Sequence, residues 1–159
     1  MPQFFYKVVS SPLGWIRIVT SEKHLIRIDF PSRNAKSSKR APEILKKTEK
    51  QIREYFSGMG EKFALAIPFA NLEGTSFQRR VWKAMSKIPY AKTVSYKELA
   101  KMAGSSNAYR AVGSACGKNP LPIVIPCHRV LASSGLGGFT SGLWRKKWLL
   151  KHEANSLSS

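Results

Sequence analysis

The chain has 159 residues, 43% of them hydrophobic, which is enough for one ordinary domain or two small ones and argues against a disordered protein. No stretch approaches the roughly 18 apolar residues that cross a bilayer, and the start, MPQFFYKVVSSP, carries no basic-then-apolar leader, so no membrane partner and a cytoplasmic location (nuclear in a eukaryote) are expected. The 27 Lys+Arg against 9 Asp+Glu give a formal charge of +18, an excess that points to a polyanionic partner, nucleic acid ahead of an acidic membrane surface, unless it serves solubility alone.

The N-terminal third alternates as strands do. Phe4 to Val9, Trp15 to Thr20 and Leu25 to Phe30 are short β-rich runs, the last setting Ile26, Ile28 and Phe30 opposite Arg27 and Asp29. Pro12 and Gly14 punctuate the first gap and Ser21 to Lys23 the second, so an antiparallel meander is expected. PSRNAKSSKRAP, residues 31–42, has nothing to bury and reads as a mobile basic loop. Ile44, Leu45, Thr48, Ile52, Tyr55 and Phe56 then recur at helical spacing between Pro42 and Gly58. Phe63 to Ile67 is a candidate fourth strand before the linker, 69–74; the expected domains are 1–68 and 75–159.

From Thr75 the texture is helical. Thr75 and Gln78 form a capping box, and Phe77, Val81, Ala84, Met85 and Ile88 make one apolar stripe. Ser95 and Glu98 form a second box opening a short helix to Gly104. A third helix starts near Asn107, with Ala108, Ala111, Val112 and Ala115 facing inward and Arg110, Gly113, Ser114 and Gly117 on the other side. Two short helices around AGSSN predict a helix-turn-helix. An outer face of one arginine and small residues admits a close neighbour, either a nucleic-acid groove or another helix.

The two cysteines lack metal-ligand spacing, so two free thiols are expected, with no metal. Cys116 reads as a packing residue. Cys127 sits in IVIPCHRV, behind a branched apolar run and ahead of two nitrogen bases. A thiol is mostly protonated at neutral pH, so nucleophilic use needs a base or a positive neighbour, which His128 or Arg129 would supply. Adjacent residues seldom face one another, so His128 needs a turn or a bridging water to serve Cys127. The alternative is a small buried hydrophobe.

PCHRV from Pro126, preceded by VSYKELA from Val94, YRAVGSACG from Tyr109 and GKNP from Gly117, and followed by GLWRKKWLLKHE ending at Glu153, resembles the O6-alkylguanine-DNA alkyltransferases over residues 75–154. The resemblance implies a ribonuclease-H-like N-terminal α/β domain (antiparallel sheet plus helix) and a mainly helical C-terminal domain containing the helix-turn-helix. It implies a monomer on double-stranded DNA, without cofactor, that flips out O6-alkylguanine, with O4-alkylthymine as a second candidate substrate, and moves the alkyl group irreversibly to Cys127. By the same resemblance His128 is the base acting through a water, Glu153 orients it, Asn119 braces the active-site loop, and Tyr96 donates to guanine N3. Glu153 also falls on the helix face of Leu149 and Leu150, where a carboxylate needs a partner.

Arg110 matches the residue that fills the gap left by the flipped nucleotide, with Tyr109, Ala111, Gly113, Ser114, Gly117 and Lys118 completing the minor-groove contact. Pro126, Val130, Phe139, Thr140 and Ser141 match the substrate pocket. Phe139 stands where many relatives have tyrosine and Ser141 where many have glycine, which bears on the size of the alkyl group rather than the reaction. Two further readings stand beside this one. A non-catalytic lesion-binding relative would lack the need for the thiol, and a cysteine hydrolase would regenerate it.

Overall fold

The computed structural model describes residues 3–158; Met1, Pro2 and Ser159, inside the expected domain limits, lie outside the described residues. The chain divides into two compact units that part between Pro68 and Phe69.

In the first unit β1 (Phe5–Ser11), β2 (Gly14–Thr20) and β3 (Leu25–Asp29) form an antiparallel sheet in the order β1-β2-β3. Phe5, Val8, Val9, Ile16, Ile18, Leu25 and Ile28 are buried, together with Leu45, Ile52 and Tyr55 of α1 (Glu43–Phe56). The facing of β3 departs from strict alternation. Thr20 pairs with Leu25 but Val19 with Arg27, so Ile26 is an extra residue in the ladder; Leu25 and Ile28 go inside and Ile26 stays half-buried.

Two other expectations are corrected. Residues 31–42 are tied down: Ser38 Oγ accepts from the Tyr6 N–H at 2.8 Å, Ser37 Oγ from the Val8 N–H at 3.1 Å, and the Ser38 N–H donates to the Tyr6 carbonyl. Two serines thus satisfy the open edge of β1, which would otherwise be a template for pairing. Phe63 to Ile67 forms no strand, because the segment packs on α1 instead of a sheet edge: Phe63 stacks on Tyr55 at 5.7 Å, and Gln51 Nε2 donates to the Ala64 carbonyl.

The second unit is mainly helical. Phe69–Asn71, in the segment expected as a linker, form a 3-10 turn, and Leu72 is buried. α2 (Ser76–Met85) opens with the complete Thr75/Gln78 capping box and buries Val81, Trp82, Ala84 and Met85. Trp82, which the apolar stripe left out, is fully buried and donates its indole N–H to the Ala115 carbonyl at 2.8 Å. β4 (Val94–Ser95) leads into α3 (Tyr96–Met102), whose N-cap Ser95 accepts from the Glu98 N–H. Gly104, at φ +76°, ends α3 as only glycine does without strain. Arg80 then holds the turn by donating to the Ala103 carbonyl and Ser105 Oγ. α4 (Tyr109–Gly117) completes the helix-turn-helix, and α5 (Leu143–Ser158) closes the unit. Among the described residues no helix is long and apolar enough to cross a membrane.

Candidate functional site

After α4 the chain enters its most buried run, Leu121 to Val130. Ile123 adopts φ +75°, a left-handed conformation that a β-branched side chain rarely takes, so the approach to the cysteine is held against local strain. Asn119 braces this loop on both sides: its Nδ2 donates to the Ile125 carbonyl at 2.8 Å and its Oδ1 accepts from the Leu121 N–H at 2.9 Å. Cys127 to Arg129 form a single 3-10 turn, after which β5 (Val130–Leu131) pairs in parallel with β4. That pairing brings Tyr96, the first residue of α3, beside the cysteine loop, although 31 positions separate Tyr96 from Cys127 in the chain.

Cys127 is buried, and burial pushes its thiol up to about 11; the Asn119 carboxamide and the Lys146 ammonium pull the other way without prevailing. The resting thiol is therefore protonated, and nucleophilic use of it would need a base. His128, the next residue, is fully buried. Its Nε2 lies 2.6 Å from Glu153 Oε2. Burial lowers the imidazole more than Glu153 raises it, so the ring is neutral. Burial alone would raise the Glu153 carboxyl, but the hydrogen bonds of His128 and Arg129 outweigh it and hold the group well below the ordinary carboxylate range. A neutral ring beside an ionised carboxylate donates from Nε2, which leaves the Nδ1 lone pair as a base; Nδ1 is buried and has no hydrogen-bond partner among the described residues.

Arg129 is not the cation beside the thiol that sequence reasoning offered. Its Nε and Nη2 take the two oxygens of Glu153 at 2.9 and 3.0 Å, and its Nη1 donates to the Ile88 carbonyl at 2.7 Å. The charge of Glu153 is thus met by Arg129, which is why His128 need not be protonated. The Ala91 N–H adds a further bond to Glu153 Oε1 at 3.0 Å.

Lys146 was missed. It is fully buried, and its Nζ donates to the carbonyls of Val130 at 2.6 Å and Gly138 at 3.1 Å. A signal existed: Lys146, Leu149 and Glu153 stand at i, i+3 and i+7, one inward face of α5. Leu149 and Glu153 are buried with it, while Leu150 is only partly so.

The segment between β5 and α5 covers this cluster. Gly137, at φ +74°, lies under the Tyr96 ring. Gly138 hydrogen-bonds Tyr96 through its backbone, and burial raises the phenol. Thr140 Oγ1 donates to the Gly117 carbonyl at 2.8 Å, and Arg145 donates to the Ser141 carbonyl. Of the expected pocket residues, Pro126 and Val130 are buried, Phe139 and Ser141 half-buried and Thr140 exposed.

Tyr109, Arg110, Ala111, Ser114 and Gly117 lie on the exposed side of α4, and Lys118, its exposed C-cap, follows. Ala111 is a correction to the helical periodicity, which turned it inward. With Val112, Ala115 and Cys116 buried, the inward stripe is centred one residue later, and Ala111 joins Arg110 outside. Gly113 is half-buried: a methyl group there would sit 3.7 Å from the Tyr96 ring. Cys116 packs with its sulfur 3.6 Å from Met85 Sδ. Among the described residues no group of three or more His, Cys, Asp or Glu is placed to hold a metal ion.

Comparison with known proteins agrees with this division of the chain. Residues 4–69 match the family model described as the 6-O-methylguanine DNA methyltransferase ribonuclease-like domain, and residues 76–155 match its DNA binding domain. A methylated-DNA–protein-cysteine methyltransferase of Methanosarcina barkeri is 42% identical, with 96% of this chain and 99% of the relative covered. The crystal structure of the Mycobacterium tuberculosis O6-methylguanine methyltransferase superposes with a TM-score of 0.84 at 35% identity, over 97% of this chain and 94% of that one. The same organism's protein in complex with DNA gives a TM-score of 0.83 at 36% identity, over 95% and 93% of the two chains. With both units matched in order and nearly the whole length covered, this chain belongs to the family of 6-O-methylguanine DNA methyltransferases.

Proposed function

We propose that the chain repairs DNA as a methylated-DNA–protein-cysteine methyltransferase in which Cys127 takes the alkyl group from O6 of guanine in double-stranded DNA and keeps it. The observation that carries this reading is the buried network His128, Glu153, Arg129 directly after a buried, protonated Cys127 in the chain: a neutral imidazole whose tautomer a carboxylate fixes, with its Nδ1 unpartnered among the described residues. The thiol proton passes through a water to His128 Nδ1 while the sulfur attacks the alkyl carbon. The S–C bond forms and the C–O6 bond breaks. The electron pair leaves with guanine, which gains a proton at N3 from the Tyr96 hydroxyl; the imidazolium then releases its proton to solvent and the phenolate takes one back, so that overall one proton moves from the thiol to guanine.

A thioether is not a leaving group that water displaces under these conditions, so each molecule reacts once. Arg110 at the start of α4 fills the place of the flipped nucleotide, and the small residues Ala111, Gly113, Ser114 and Gly117 bring the helix close to the minor groove. Backbone and shape contacts of this kind do not depend on base sequence. The protein acts as a monomer without cofactor.

Mixing the protein with excess duplex carrying one O6-methylguanine, followed by intact-mass measurement and peptide mapping, tests the reading. A gain of one methyl on the Cys127 peptide is the expected result. Repeated demethylation without a lasting mass gain would mean a hydrolase, and tight lesion binding with no mass gain would mean a recognition protein without chemistry.

A further inference from the structure

Every other ionised group in the buried cluster has an opposite charge beside it: Glu153 is gripped by Arg129 through two hydrogen bonds, and His128 is neutral. Lys146 has none. Its side chain is 0% exposed, its Nζ bonds go to two neutral carbonyls, and no carboxylate pairs with it among the described residues. A lone buried ammonium is costly, and carbonyl dipoles offset only part of that cost. The helix face that buries Lys146 is the one that carries Glu153 to His128, so packing cannot turn the ammonium outward without losing the carboxylate.

The two carbonyls it holds are not arbitrary. Val130 follows the nucleophile's own 3-10 turn by one residue, and Gly138 belongs to the segment that seats the Tyr96 ring. One ammonium therefore spans the strand behind the thiol and the turn beside the phenol.

We propose that Lys146 is a positioning residue for alkyl transfer: it clamps the Cys127 turn to the Gly137–Gly138 turn and keeps an uncompensated positive charge in the site that the thiolate neutralises as it forms. The proposal rests on Cys127 being the acceptor. At rest the cation has no counter-charge, and when the thiol proton leaves for His128 the sulfur supplies it. An interaction of this kind strengthens only as charge develops on the reacting atom, which is the condition for accelerating the step rather than tightening the ground state. The mutual influence of Lys146 and Cys127 on each other's ionisation agrees: the ammonium draws the thiol down and the thiolate draws the ammonium up, while burial opposes both.

The test uses the full chain with Lys146→Met, Lys146→Gln and Lys146→Arg. Iodoacetamide labelling of Cys127 at pH 8.5, followed by peptide mass spectrometry, reads the thiolate directly and needs no DNA. A charge that supports the thiolate makes labelling about tenfold slower in the Met and Gln variants, equivalent to one unit of thiol pKa, with Arg within about threefold of wild type. Gln keeps a donor to the two carbonyls and removes only the charge, so its labelling isolates the charge, whereas in Met loosening of the clamp also admits reagent; labelling in Gln equal to or faster than wild type overturns the proposal.

Single-turnover methyl transfer should fall in the same order, Arg above Gln and Met, with duplex affinity unchanged. Gln keeps a donor to the carbonyls, so it remains informative if Met does not fold. Failure of the wild-type protein to take up methyl would instead overturn the assignment of Cys127. Wild-type uptake with unchanged rates in all three variants would overturn the role of Lys146 alone.

Discussion

Arg129 and Glu153 meet through two hydrogen bonds, Nε to Oε1 at 2.9 Å and Nη2 to Oε2 at 3.0 Å, where their side chains are only 8% and 1% exposed. Such a pair adds little net stability as a pair, but losing one member leaves a buried charge unmet. Arg129→Met is expected to cost about 3–5 kcal/mol by urea unfolding at pH 7, more than its apolar surface would suggest. An unchanged midpoint would mean that Glu153 had been neutral.

The same cluster sets an acid limit. Both His128 and Glu153 are held below the values they have in the unfolded chain, so on acidification the unfolded state binds protons first. The His128 contribution is complete above about pH 6.5, its unfolded value, and shrinks below it; that of Glu153 is complete above its own unfolded value and is lost on further acidification. Urea stability should fall between pH 7 and pH 5, and His128→Asn should flatten that interval. Cys127 acts at the other end. Its thiol is raised to about 11, so the stability it contributes is present below the unfolded thiol's value and declines as pH rises through the folded one.

Cys127→Ala removes the proposed acceptor and leaves the outer face of α4 untouched. No methyl should be gained on mixing with O6-methylguanine duplex, while affinity for that duplex stays within about twofold, since phosphate and groove contacts carry the binding. Clearance of the lesion by this variant would move the acceptor elsewhere.

Arg110→Ala separates the chemistry from base extrusion. The side chain is exposed and makes no hydrogen bond among the described residues, so folding should be unaffected. With Arg110 in the proposed role, transfer from duplex DNA should slow by about tenfold or more, the extruded nucleotide's place being left unfilled at a cost of a few kcal/mol in stacking. Reaction with free O6-alkylguanine, which needs no extrusion, should change far less. Equal loss on both substrates would place Arg110 in the chemical step.

Ala91 holds φ +60° while its N–H donates to Glu153 Oε1. The left-handed conformation costs an ordinary residue roughly 1–2 kcal/mol, part of which glycine returns as unfolded-chain entropy. Ala91→Gly keeps the hydrogen bond and should raise stability by about 0.5–1 kcal/mol in urea melts, with the transfer rate unchanged.

Local rules in the sequence account for the start of α2, where Thr75 and Gln78 cap each other, and for the turn at Gly104. They account for Glu153 as well, since a carboxylate on an apolar helix face demands a partner. What stayed hidden depended on tertiary pairing. Phe63 to Ile67 alternates like a strand but found a helix to pack on, and Ser37 and Ser38 carry no mark that they would cap the edge of β1. Arg129 is next to His128 in sequence and reads there as a neighbour of the thiol, yet a 3-10 turn points its side chain at α5. Lys146 is hidden because a lysine in KKW reads as solvated until its face of the helix is counted out.

The Gly137–Gly138 pair offers a control within two residues. Gly137 sits at φ +74°, and a methyl group there would stand 2.9 Å from Tyr96 Oη and 3.0 Å from Cε2, so Gly137→Ala is strained twice, by its backbone and by the ring. The phenol has to move. Gly138 has no such conformation and nothing within 4 Å of an added methyl, and its carbonyl to Lys146 survives the change. Gly137→Ala should therefore slow methyl transfer by about tenfold, the order of a misplaced proton donor, while Gly138→Ala stays near wild type. If the two behave alike in single-turnover assays, the position of the Tyr96 hydroxyl does not limit the departure of guanine, and the proton at N3 comes from solvent.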